Sequence, residues 1–110
     1  MEDDVAARVR ENLTVPFAEK RMFGGVSFMV DDKILVNVRG SGDLLVRVDP
    51  ARSAELVADH GAEQAEMGAG RSMGPSWLTV SADRVDDDEQ MRFWLDVALD
   101  FNPRAPARGR

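Results

Sequence analysis

Residues 25–48 read GVSFMVDDKILVNVRGSGDLLVRV, three short apolar stretches separated by two turns. This run constrains the fold more than anything else in the chain. Side chains of a strand alternate between its two faces, so Lys33 to Arg39 sets Ile34, Val36 and Val38 on one face and Leu35 and Asn37 on the other. Leu44, Val46 and Val48 alternate in the same way with Leu45 and Arg47. Asp31-Asp32 and the stretch Gly40 to Asp43 supply the turns. A three-strand antiparallel meander beginning at about Gly25 is expected. Just before it, RMFGG runs an apolar pair into two glycines. Met22 and Phe23 are expected to anchor the chain under the sheet. Gly24 and Gly25 are expected to allow a bulge or a positive φ that a Cβ would obstruct.

Helical signals flank the meander. Val5, Val9 and Leu13 share one face of a helix from Asp4 to Leu13, which Pro16 closes. In DPARSAELVADHG, Asp49 is placed to cap, Pro50 takes the first helical position and Gly61 the left-handed stop. The expected apolar face of that helix is Ala51, Ala54, Val57 and Ala58. Short strands near Glu63–Met67 and Ser76–Ser81 bracket the loop GAGRSMGP. The last helix runs to about Phe101, with a capping box from Asp86 to Glu89 and Met91, Trp94, Val97, Ala98 and Phe101 as its buried stripe. The order α-β-β-β-α-β-β-α predicts an α+β domain, one antiparallel sheet with helices packed mostly on one face.

Composition excludes several functions. The chain has 110 residues, enough for one domain with a modest core, and its 44% hydrophobic and 31% charged content is that of a globular protein. No cysteine is present, so neither a disulfide framework nor a thiolate zinc site can form. The N-terminus is acidic and amphipathic rather than leader-like, and the cytoplasm is the expected location. Net charge is -6, and because three arginines fall in the last nine residues, the first 101 residues carry -9. Such a body repels phosphate backbones, so direct nucleic-acid binding is not expected, and neither is a membrane span. Residues 102–110 read as a flexible basic tail, with residues 1–101 forming the single domain.

Catalytic constellations are missing. His60 is the only histidine, and it suits a helix C-terminus as a cation rather than a general base, which needs partners. Asp86, Asp87 and Asp88 belong at a helix start rather than in a calcium loop. The loop from Gly68 to Pro75 carries glycines at the wrong spacing for a phosphate cradle, with a strand rather than a helix behind it. Arg71 is its one anion-seeking group. Phe23, Phe28, Trp77, Trp94 and Phe101 read as core, with no interleaved basic residues to make a stacking platform. No metal, cofactor or catalytic residue is expected.

The stretch KRMFGGVSFMVDDKILVNV resembles the signature of the TfoX/Sxy N-terminal domain family of bacterial competence regulators. Arg21, Met22, Phe23, Gly24 and Gly25 match its first motif, and Gly70, Arg71 and Met73, followed by Trp77, match the second. The likeness runs from about Val5 to Phe101. It implies the same helix, three strands, helix, two strands, helix. Asp31-Asp32-Lys33 stands where Asp-Gly-Lys is usual, which predicts a wider hairpin. The regulators carry a second, C-terminal domain, whereas an arginine tail follows here, so the resemblance implies a stand-alone module. The expected function is therefore a non-enzymatic protein-interaction or regulatory module, its partner a protein, with a homodimer among the candidates. The alternative is a small-ligand binder or minor enzyme using the loop from Gly68 to Pro75 with Arg71.

Overall fold

A computed structural model describes residues 2–22, 24–68 and 71–105, and for residues 2, 67, 68, 71 and 72 the backbone alone. Phe23, Gly70 and residues 106–110 of the expected tail lie outside the described residues. The chain runs α1 (Glu2–Asn12), β1 (Ala18–Met22), β2 (Gly25–Val30), β3 (Lys33–Val38), β4 (Leu44–Arg47), α2 (Ser53–His60), β5 (Glu63–Gln64), β6 (Glu66–Gly68), β7 (Arg71–Ser72), β8 (Trp77–Val80) and α3 (Asp88–Phe101). One six-stranded antiparallel sheet has the order β1-β2-β3-β4-β8-β5, and β6 and β7 form a separate two-stranded hairpin. The α+β expectation holds. So does the meander, to which the structure adds β1 in front.

Val26, Phe28, Val36, Val38, Leu44, Val46, Leu78 and Val80 meet the helices in one continuous core. Val5 and Val9 of α1, Leu13 just beyond it, and Met91, Trp94, Leu95 and Ala98 of α3 supply its other side. Phe28 pairs with Val36 but Met29 with Ile34, so Leu35 is an extra residue that bulges β3. That bulge turns Leu35 as well as Val36 into the core. The hairpin between β2 and β3 is tight rather than wide, which corrects the expectation. Val30 pairs with Lys33, and both Asp31 (φ 54°) and Asp32 (φ 63°) take the left-handed conformation of a two-residue primed turn.

Three further expectations are corrected. Ala51, Ala54, Val57 and Ala58 are exposed, and the residue of α2 that enters the core is Leu56. Asp49 caps the Ala51 N–H, Pro50–Arg52 form a 3₁₀ turn and α2 begins at Ser53. Within α2, Leu56 stands about 200° around the helix from both Ala54 and Ala58, so the face turned inward is the opposite one. The cap of α3 is Asp87, which accepts from the Gln90 N–H, not Asp86. The stretch read as a connecting loop holds the β6–β7 hairpin, folded back so that Met73 N–H donates to the Ala65 carbonyl at 2.9 Å.

The packed domain also extends past Phe101. Asn102 is buried and donates to the Val30 carbonyl, the Lys33 amine donates to the Asn102 carbonyl at 3.0 Å, and Arg104 pairs with Asp49 at 2.8 Å.

Candidate functional site

Arg21, Met22, Gly24 and Gly25 belong to the entry hairpin. Met22 pairs with Gly25, so β1 returns immediately as β2. Gly24 sits in the connection at φ 74°, in open space. Gly25 is there for a different reason. A Cβ on it would land on the carbonyl oxygen of Val38, and that Cβ would also stand only 2.9 Å from Arg39 Cα. Positive φ and close backbone approach are thus divided between the two glycines. Met22 is half-buried on the hairpin rather than anchored beneath the sheet.

β1 is an edge. It stands first in the strand order, and Ala18 to Arg21 are exposed. Its composition, Ala-Glu-Lys-Arg-Met, is polar on both sides, so no alternation marks it in the sequence. Met22 and Gly25 close a two-residue connection and so form a hydrogen-bonded pair. Lys20 and Ala18, in step with Met22, also turn their backbone groups toward β2, and Glu19 and Arg21 turn theirs the other way. On the helix side, Glu19 holds Arg10 of α1 through two contacts, at 2.7 and 2.8 Å. That hydrogen bond and the guanidinium charge keep the Glu19 carboxyl below its usual range.

The sheet face away from the helices is closed, not open. Met29, Ile34, Leu45 and Ala65 are buried there, apart from the main core. Ser27 and Asn37, on neighbouring strands, are fully buried between them, with Asn37 Nδ2 donating to Ser27 Oγ at 2.8 Å and to the Met22 carbonyl at 3.3 Å. Asn37 Oδ1 and Arg47 Nε are buried without hydrogen-bond partners among the described residues. The Arg47 guanidinium lies 5.0 Å from the centre of the half-exposed Trp77 ring, and burial draws its pKa down. Basic residues do therefore meet the aromatics, and Arg10 over Phe28 and Arg104 over Phe101 repeat the pairing. Met73 crosses from the β6–β7 hairpin to touch Arg39, its sulfur 3.8 Å from Nη2.

The expected site residues therefore fall in two places. Arg21, Met22, Gly24 and Gly25 build the edge hairpin. Met73 and Trp77 belong to the closed face, and the backbone of Arg71 to β7. His60 stacks on Phe93 at 4.7 Å. Among the described residues, no group of three His, Cys, Asp or Glu comes together that could hold a metal ion, and no helix is long and apolar enough to cross a membrane. Asn37 and Arg47 were missed in the sequence because strand alternation gives their face but not their partners.

The model of the TfoX N-terminal domain matches residues 12–102. The chain belongs to the TfoX N-terminal domain family. No curated protein and no solved structure matches it. In this TfoX N-terminal domain Arg21, Met22, Gly24 and Gly25 lie at the edge hairpin, whereas Arg71 lies in β7 and Trp77 opens β8.

Proposed function

We propose that this TfoX N-terminal domain is a non-enzymatic protein-interaction module of the regulatory type, working in the cytoplasm and taking an extended segment of a partner against β1. The observation that carries the reading is the placement of Arg21, Met22, Gly24 and Gly25. They form a hairpin that holds a polar strand at the rim of the sheet. A strand added there gains main-chain hydrogen bonds without displacing any core residue. A photo-cross-linking residue at position 20, beside a control at position 57 on α2, tests this in cells. Capture of a defined protein from position 20 alone is the expected result, and equal capture from both positions defeats the reading.

A second reading, a small-ligand site beneath the β6–β7 hairpin, is favoured by one observation: Asn37 Oδ1 and Arg47 Nε offer a buried acceptor and donor on the same face. Thermal-shift screening of small carboxylates and phosphates against the parent and Arg47→Met tests it. Stabilisation of the parent that the variant lacks would support it.

A further inference from the structure

We infer that the segment β1 receives carries one acidic residue opposite Lys20, within an otherwise uncharged strand of the form apolar-x-acidic-x-apolar. The inference rests on the interaction-module reading above and names the chemistry of its partner. Register decides which side chains such a partner meets. Glu19 stands beside Phe28 of the main core, whereas Ala18 and Lys20 stand beside Met29 and Ser27, so Lys20 lies on the sheet face away from the helices. The backbone groups of Glu19 and Arg21 turn outward, and an antiparallel partner bonds to both. Lys20 then falls in the intervening pair without hydrogen bonds, where facing side chains come closest.

Charge along this rim is uneven. Arg10 holds both oxygens of the Glu19 carboxylate, at 2.7 and 2.8 Å. Arg21 is also engaged within the chain. Lys20 is exposed, and its amine has no hydrogen bond or ion pair among the described residues. An opposite charge facing it stabilises the pairing, and a like charge destabilises it. Its neighbours on the same face are the exposed Ala18 and the half-buried Met22, which suit apolar side chains two residues to either side of the acidic one. The body's charge of -9, from -6 less the three arginines of residues 102–110, repels a longer acidic run. A single carboxylate is therefore the fit. A second copy of β1 does not meet this description. In every antiparallel register that keeps the outward groups of Glu19 and Arg21 bonded, Lys20 faces Ala18, Lys20 or Met22. None of these is acidic. The lysine thus limits pairing of the edge with itself and selects a different chain.

Synthetic peptides test the chemistry. Thr-Val-Thr-Glu-Thr-Val-Thr, blocked at both ends, is titrated into isotopically labelled protein beside versions with Gln or Lys in place of the central Glu. The amide resonances of Glu19 and Arg21 should shift most. The Glu peptide should bind about three- to tenfold more tightly than the Lys peptide, with the Gln peptide between them. Lys20→Glu should reverse that order, and its own spectrum shows whether the variant is folded. Equal binding of the three peptides overturns the inference. So does an order that a folded Lys20→Glu leaves unchanged, or a titration in which no peptide moves β1. A photo-cross-linking residue at position 18, which keeps Lys20 in place, carries the test into cells. Capture of a segment with an acidic residue in the facing register supports the inference, and capture of a second copy or of a segment without one overturns it. Capture of a defined protein from position 20 and not from position 57 would still uphold the interaction-module reading, so the two can fail separately.

Discussion

The carbonyl oxygen of Val38 lies where a Cβ on Gly25 would have to stand. That clash is with backbone, which cannot swing aside as a side chain can. Gly24 has nothing within 4 Å of its Cβ position, and its only constraint is a φ of 74°. Gly25→Ala should therefore cost about 3 kcal/mol, since the strands must shift to make room. Gly24→Ala should cost about 1 kcal/mol, and Gly24→Val about 1–3 kcal/mol through strain alone. Urea melts beside the parent should place Gly25→Ala lowest, Gly24→Val between and Gly24→Ala nearest the parent. A Gly25→Ala midpoint above that of Gly24→Ala would contradict the division of roles.

Asp31 and Asp32 both hold positive φ, at 54° and 63°. Glycine removes the Cβ penalty at such a site, at some cost in unfolded-state entropy. Asp32→Gly should raise stability by about 0.5–1 kcal/mol, completing the Asp-Gly pair that primed turns prefer. Thermal denaturation checks this, and a lowered midpoint would count against the strained turn.

Leu56 and Val57 are neighbours with opposite fates, Leu56 fully buried and Val57 41% exposed. Leu56→Ala should cost about 2–4 kcal/mol by leaving a cavity. Val57→Ser should change stability by less than about 0.5 kcal/mol. Paired denaturant melts decide it, and comparable losses would mean that α2 is rotated from the orientation described.

Glu19, Asp49 and Asp83 are all held below their ordinary range, and the first two through hydrogen bonds from arginines. Arg104, through a hydrogen bond, and then the Ala51 N–H hold the Asp49 carboxyl below its ordinary value, as Arg10 does for Glu19. A carboxyl with a depressed folded pKa contributes stability that is complete above its unfolded value, about 4, and lost as pH falls through the folded one. The double variant Glu19→Gln/Asp49→Asn should thus show a flatter loss of stability below about pH 4 than the parent. Melting temperatures across pH 7 to 2 test this. Identical acid limbs would show that neither pair contributes.

The strands that could be read from sequence are those with one face in the core. Val36, Val38 and Val46 enter the main core while Asn37 and Leu45 are buried on the far face, so the period of two follows from the strand's alternation between two different buried sides. Ala18–Met22 has no such side, and its identity as a strand comes only from pairing with β2. In α2 the alanines and Val57 suggest one face, but the larger Leu56 is the residue that enters the core, from the side of the helix opposite Ala54 and Ala58. At the entry hairpin the two glycines signalled an unusual backbone. Which of them needed φ and which needed space depended on Val38, thirteen residues further along.

Strand order also bears on how the chain reaches this state. β1, β2 and β3 each pair with their immediate successor, so residues 18–47 can assemble through short loops. β4 must then wait for β8, closing the excursion from residue 48 to 76. Loop closure over such a span costs entropy before any contact repays it. The meander is thus the natural nucleus, with β8 and the docking of α3 on α1 arriving late. Substitutions in the β2–β3 turn should act mainly on the folding rate, and those between α1 and α3 mainly on the unfolding rate.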